Sequence, residues 1–163
     1  MNAKDAIRSS GNLSMMVLKS YISDLEDAEL LKRPAKGCNH IAYQLGHLIG
    51  SEAQLLEMVA PGKGVALPEG FAEAHSKENA GDDNPAHFHD KATYLELFDN
   101  VREATLAALD AYPESDLDQE APEEMRSFCP TMGDVFTLIA THPMMHAGQF
   151  VIVRRQLDKP ILM

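Results

Sequence analysis

The sequence predicts an all-α protein, a four-helix bundle in up-down-down-up order with a long crossover between helices two and three. Four segments carry apolar residues at spacings of three and four, as amphipathic helices do, and no segment alternates convincingly with the period of two that strands show. A short connection joins the first two segments, whereas some thirty residues separate the second from the third. A connection that long permits two consecutive helices to run parallel. At 163 residues the chain is expected to form one domain, residues 1–163.

The first predicted helix runs from about Ala3 to Leu31 and stops before KRPAKG, a proline and glycine stop signal. Gly11 is expected to make its first half fray or bend, because glycine is a poor helix former. The second helix is predicted from Asn39, which can cap its first turn, to the proline–glycine pair at 61–62. The apolar stripes of these two helices are Ile7, Leu18, Tyr21, Ile22 and Leu25, and Ile41, Leu45, Leu48, Leu55 and Val59.

The third predicted helix begins near Asp90 and stops at Pro113. The connection before it, residues 61–90, has no periodic pattern, and unstructured stretches of this length often form rims or lids over a site. A simple flexible insertion is the alternative to a crossover here. The stripe of the third helix is Tyr94, Phe98, Val101, Thr105, Ala108 and Tyr112.

The fourth predicted helix begins at Thr131, whose TMGD motif resembles a capping box. Two imidazoles, those of His142 and His146, occupy its core-facing row. Because side chains at i and i+4 converge beside a helix, both ring nitrogens can reach a shared ion, as in helical zinc sites. The alternative is a pair of core histidines satisfied by ordinary hydrogen bonds. The row consists of Val135, Ile139, His142, His146, Gln149 and Val153.

His47, in the second predicted helix, is the candidate for a third metal ligand. At about 1.5 Å per residue it lies some 12 Å from the start of its helix. By the same rise, His142 and His146 lie roughly 16 and 22 Å from the start of theirs. The crossover makes the two helices antiparallel, so the three rings are expected to meet near the middle of the bundle. The sequence therefore predicts a divalent-metal site at these residues.

The remaining histidines are weaker candidates. His40, in the first turn of the second helix, is expected to have a surface or capping role. His87 and His89 could chelate as a His-x-His pair, but they fall in a polar connection with no third donor, so we expect them to be solvated. His75 stands alone in that connection, and no special role is expected for it.

Pro143 separates the two histidines of the fourth helix. It has no amide proton to donate to the carbonyl of Ile139, so the helix is expected to bend or bulge there. Such a defect could aim the two ligands, although a purely architectural bend is the alternative.

Each metal-binding imidazole needs a hydrogen-bond acceptor on its other nitrogen. Gln149 lies one turn after His146, and Gln44 lies one turn before His47, so both are candidates. Glu52 falls on an apolar stripe, where a bare carboxylate is costly. Glu52 is thus a candidate partner or general base, with an exposed position at the bundle edge as the alternative. Three histidines leave a divalent ion with open positions, which is the pattern of a catalytic site.

Composition excludes several classes of function. The net charge of −11 would repel a phosphate backbone, so no nucleic-acid partner is expected, and Arg154 and Arg155 complement the end of a helix dipole. No apolar run is long enough to span a bilayer, and the N-terminus lacks the pattern of a signal peptide. A cytoplasmic location is therefore expected, with Cys38 and Cys129 reduced and structural.

Two segments, NHIAYQLGHLIGSE in the second helix and GDVFTLIATHPMMHAGQFVIVRRQLDKP in the fourth, resemble the DinB and YfiT-like metalloenzyme family. The resemblance covers nearly the whole chain, including LPEGF in the crossover. It implies an up-down-down-up bundle, often dimeric, with a divalent metal held by residues that correspond to His47, His142 and His146. The chain departs from the family pattern at Pro143 and in having no tryptophan.

The resemblance also bears on chemistry. Nickel and zinc are the metals associated with such bundles, and some relatives are S-transferases of low-molecular-weight thiols such as bacillithiol or mycothiol. One branch is a mycothiol-dependent isomerase. We therefore expect a small-molecule substrate, a homodimer, and either thiol transfer or hydrolysis. The alternatives are a non-catalytic metal-binding or stress-related bundle, and a plain helical protein with hydrogen-bonded core histidines.

Overall fold

A computed structural model describes residues 1–161, and all the regular secondary-structure elements assigned in this range are helices. The predicted all-α class is therefore confirmed. A single isolated β-bridge joins Glu120 and Thr131 in the described range. The helices are α1 (Ala3–Ile22), α2 (Ile41–Val59), α3 (Phe71–Ala74), α4 (Lys91–Ala111) and α5 (Met132–Gln156). No helix in this part of the chain is long and apolar enough to cross a membrane.

Side-chain caps define where the long helices begin. The Asp90 carboxylate accepts from the backbone N–H of Thr93, and Thr131 forms a capping box with Asp134, so both predicted starts are confirmed. The predicted cap of α2 at Asn39 is wrong by one residue. His40 takes this role instead, because its Nδ1 accepts from the backbone N–H of Tyr43 at 3.0 Å.

The first helix is shorter than its sequence predicts. α1 ends at Ile22, and a separate 3-10 turn, Asp27–Leu31, follows. A new start at Glu26 explains the break, since the Glu29 side chain accepts from its backbone N–H at 2.7 Å. The helix is not interrupted at Gly11, where fraying was expected.

Gly11 lies where three helices approach one another. A Cβ at this position would lie 3.3 Å from Nη1 of Arg102 in α4 and 3.5 Å from the Cβ of Ala140 in α5. The same residue that lowers helix propensity therefore permits close packing at the centre of the bundle.

Hydrogen bonds between helices show which ends of α1, α4 and α5 lie at the same level along the bundle. Near one end of the bundle, the Lys4 ammonium of α1 donates to the carbonyl of Asp110 in α4 at 2.7 Å. Near the other end, Nη1 of Arg154 in α5 donates to the carbonyl of Tyr21 in α1 at 2.7 Å. α2 packs against both α4 and α5.

The connection between α2 and α4 is folded onto the bundle. It contains α3 and two 3-10 turns, and the Phe71 ring is buried in the main apolar cluster. The expectation of a stretch without regular structure is therefore wrong. Burial of an aromatic side chain stabilises this packing by roughly 1.5–3 kcal/mol.

Candidate metal centre

Three histidines from two helices converge at one point between α2 and α5. One ring nitrogen each of His47, His142 and His146 lies within 4.8 Å of the other two. The ring centroid of His47 lies 5.3 Å from that of His142 and 5.4 Å from that of His146, and the latter two are 4.9 Å apart. His47 and His142 are half-buried.

Gln44 fixes the orientation of one of these rings. Its Oε1 accepts from Nδ1 of His146 at 2.8 Å, while its Nε2 donates to the carbonyl of Asn39 at 2.9 Å. Because the amide donor is used by Asn39, the Gln44 oxygen faces His146 and the proton of that ring is on Nδ1. Nε2 of His146 then presents a lone pair, 3.2 Å from Nε2 of His142.

All three imidazoles favour the uncharged form. Burial lowers the pKa of His47 and of His142, and burial together with the nearby His142 and His47 lowers the pKa of His146 to about 4. Neutral imidazole is the form that binds zinc, nickel or cobalt. The donor atoms, their spacing and their protonation are thus compatible with a divalent cation.

The lowered pKa of His146 predicts that the contribution of this imidazole to the stability of the metal-free protein is lost in acid. The unfolded chain protonates this imidazole near its ordinary pKa of 6.5, whereas the folded chain does so near 4. Between these values the unfolded state binds more protons, so stability present above 6.5 is lost as the pH falls. Urea denaturation between pH 7 and pH 4 should show the loss, with a shallower slope in His146→Gln. An equal slope in both proteins would contradict the assignment.

The other candidate partners are not equally placed. Gln149 is exposed on α5 and makes no hydrogen bond to the three rings within the described residues. Glu52 is buried rather than exposed at the bundle edge, and it pairs with Arg102 of α4, with Nη2 to Oε2 at 2.8 Å. Burial, partly offset by the Arg102 charge, raises the pKa of Glu52 to about 7.

Arg102 also provides a hydrogen-bond donor for the carbonyl of Ile139, which has no helical donor because Pro143 lacks an amide proton. Nη2 of Arg102 donates to the carbonyl of Ile139 at 3.3 Å, in addition to its bond with Glu52. α5 continues through the proline, and Gly11 provides the space that the guanidinium needs. We call Gly11, Glu52, Arg102, Ile139 and Pro143 the buried polar node. Its residues come from all four long helices.

This node adjoins the histidines. Glu52 and His142 line the same small cavity, together with Pro143. One oxygen of Glu52, Oε1, and Nε of Arg102 have no hydrogen-bond partner within residues 1–161. Sequence reasoning missed Arg102, although its spacing of four from Phe98 and three from Thr105 placed it beside the stripe of α4.

The remaining histidines lie outside the cluster. His40 is fully buried, so its capping role is confirmed and a surface position is wrong. His87 is exposed and pairs with Asp82 at 2.6 Å, while the half-buried His89 stacks on Phe71 rather than being solvated.

His75 has a structural role that its isolation in the sequence did not predict. It is buried, with Nδ1 bonded to the carbonyl of Phe71 at 2.7 Å and Nε2 to the hydroxyl of Tyr94 at 2.8 Å. Its ring lies directly against Gly46 of α2, where an added Cβ would overlap it. A glycine in the interior of α2 was the sequence signal for this contact.

Comparison with known protein families shows what this chain is similar to. The family model of the DinB superfamily matches residues 13–150, which include all three histidines of the cluster. A search of curated proteins found no match to this chain.

Proposed function

This chain belongs to the DinB superfamily, and we propose that it is a divalent-metal-dependent enzyme whose ion is held by His47, His142 and His146. The convergence of three neutral ring nitrogens from α2 and α5 carries this proposal. Structural zinc sites are usually closed by four protein ligands, whereas three leave room for an exogenous molecule. The half-buried position of the cluster supports this reading.

The residues around the cluster have distinct roles in this proposal. Gln44 holds the proton of His146 on Nδ1 and so keeps Nε2 available as a ligand. The buried polar node holds α5 in place next to His142. When bound, the ion keeps open positions and lowers the pKa of a thiol or a water molecule that occupies one of them.

The reaction that we favour is transfer of a low-molecular-weight thiol to a small electrophile, with zinc or nickel as the metal. The thiol sulfur forms a bond to the electrophilic carbon, the bond from that carbon to its leaving group breaks, and the thiol proton leaves with the departing group. Hydrolysis of a small substrate is the second candidate, favoured by the same open positions at a three-histidine site.

A conjugation assay tests the proposal. Nickel- and zinc-loaded protein is incubated with a chromogenic electrophile and a panel of low-molecular-weight thiols, with a chromogenic ester as the probe for hydrolysis. We expect turnover that disappears on chelation and returns with the metal. Full metal occupancy without turnover of any probe would contradict an enzymatic role and favour the non-catalytic metal-binding alternative.

We also propose an up-down-down-up order for the four long helices, supported by the contacts between their ends, and a homodimer. Four apolar side chains on the neighbouring helices α1 and α5 are each at least half exposed, namely Leu13, Met16, Met145 and Ile152. In a chain with a net charge of −11, an apolar face lets two copies meet without bringing their acidic groups together. We call it the α1/α5 face.

Charge on the α1/α5 face is expected to separate the dimer. The double variant Met16→Asp and Met145→Asp should elute with the mass of one chain in size-exclusion chromatography with light scattering, because burying two carboxylates per copy is costly. Phe128→Asp, which changes an exposed apolar residue outside this face, is the matched control and should remain dimeric. A monomeric mass for the unaltered protein would contradict the proposed dimer.

A further inference from the structure

A cleft lies beside the histidine cluster, between α2 and the crossover. Its volume is about 200 Å³, and His47 forms part of both the cleft wall and the cluster. At roughly 30 Å³ per water molecule, this is the space of about seven waters. Its lining residues are Gly46, His47, Gly50, Ser51, Gln54, Phe71, Ala72 and His75.

Two glycines one turn apart on α2 shape this cleft. The surface of Gly46 is covered by the ring of His75, whose two nitrogens are both held by hydrogen bonds, so this wall is fixed. An added Cβ at Gly50 would meet nothing within 4 Å. Glycine at position 50 therefore leaves open space in the cleft, although the neighbouring residues would leave room for a side chain there.

The lining has no formal charge. It contains no Asp, Glu, Lys or Arg, so no carboxylate, ammonium or guanidinium group lines the cleft. A charged ligand would lose water there without gaining a counterion. Ser51 and Gln54 offer a hydroxyl and an amide that have no hydrogen-bond partner within residues 1–161, while Phe71 and Ala72 provide an apolar wall.

We propose that this cleft binds the small, uncharged part of a substrate that reaches the metal site past His47, and that Gly50 sets its size limit. Ser51 and Gln54 donate or accept the hydrogen bonds of this ligand, and its apolar side packs on Phe71. This inference rests on the proposed metal site and adds the class of molecule that the site accepts.

Three thiols of similar size but different charge test the inference on cobalt-loaded protein. They are 2-mercaptoethanol, which is neutral, 2-mercaptoethanesulfonate, whose anionic sulfonate is a poor metal ligand, and cysteamine, which is cationic at neutral pH. Thiolate binding is followed by its charge-transfer absorption with cobalt, a metal that imidazole ligands suit. We expect 2-mercaptoethanol to bind about tenfold or more tightly than either charged thiol, because neither charge finds a partner in the lining.

The variant Gly50→Leu fills the cleft and should weaken binding of 2-mercaptoethanol by about tenfold or more. Gly50→Ala is the matched control, since it brings the same kind of gain in helix propensity while occupying little of the space. Both variants should bind cobalt as the unaltered protein does, because neither replaces a histidine.

The outcomes separate the two claims. Unchanged affinity for 2-mercaptoethanol in Gly50→Leu, or tighter binding of a charged thiol by the unaltered protein, would overturn the inference and leave the metal site standing. Failure of the unaltered protein to bind cobalt would overturn the proposed function, and this inference with it.

Discussion

Replacing Arg102 with methionine is expected to lower the free energy of unfolding by about 3–5 kcal/mol at pH 8. The substitution leaves the buried Glu52 carboxylate without its counterion and the Ile139 carbonyl without its donor. Methionine fills much of the volume of the arginine stem, so the loss reflects the polar groups that remain behind rather than a cavity. Urea denaturation monitored by circular dichroism measures it.

The loss of stability in Arg102→Met should depend on pH, because it depends on whether Glu52 is ionised. Its pKa of about 7 lies above the ordinary value of 4.5, so the folded protein holds this proton more tightly than the unfolded chain does. The stability that Glu52 contributes is therefore fully present below about pH 4.5 and is lost as the pH rises through about 7. Removing Arg102 should cost less at pH 5, where Glu52 is protonated and needs no counterion.

Two further variants distinguish the buried polar node from a general effect of losing an arginine. The double variant Arg102→Met with Glu52→Leu should recover much of the loss, because replacing both members of a buried pair by apolar groups is often neutral. Arg8→Met removes an exposed ion pair with Asp110 and should lose only a small fraction of that stability. Equal losses in Arg102→Met and Arg8→Met would contradict the account.

Replacing His142 with alanine is expected to weaken binding of zinc or nickel more than about 100-fold. Mutation of an outer hydrogen-bond partner of a metal ligand typically costs 10–100-fold, and loss of a ligand itself should exceed that range. Folding should survive, because the apolar cores on both sides of the cluster are unchanged. Competition against a chromogenic chelator measures the affinity, and thermal denaturation of the metal-free protein tests the fold.

Two further variants are compared with His142→Ala in their affinity for the metal. Gln44→Leu keeps all three ligands but removes the acceptor that orients His146, so its affinity should fall by about 10–100-fold. His87→Ala removes an exposed histidine of the crossover and should leave the affinity unchanged. Equal affinity in His142→Ala and His87→Ala would mean that the cluster does not bind the metal.

Helical periodicity and spacing were sufficient to predict the histidine cluster. The i and i+4 pair on the fourth predicted helix converges wherever a helix forms, and the level of His47 follows from the rise per residue once α2 and α5 are adjacent. The same spacing placed Gln44 one turn from His47. It did not show that Gln44 would reach across to His146, because that contact depends on how two helices rotate against each other.

The features that sequence did not predict are those that depend on long-range packing. Pro143 indicated that the Ile139 carbonyl would lose its helical donor, but the donor that replaces it comes from α4. His75 had no periodic context, and its burial depends on its contact with Gly46 and on its hydrogen bonds to Phe71 and Tyr94. The early end of α1 followed from a competing cap at Glu26 rather than from the stop signal.

The central claim is that imidazoles from α2 and α5 hold one divalent cation. Elemental analysis of protein purified without an affinity tag, combined with X-ray absorption at the edge of the metal found, tests it most directly. We expect about one ion per chain, with histidine nitrogens at about 2.0–2.1 Å if the metal is zinc. Substoichiometric metal, or a bound ion whose neighbours include no imidazole, would contradict the claim.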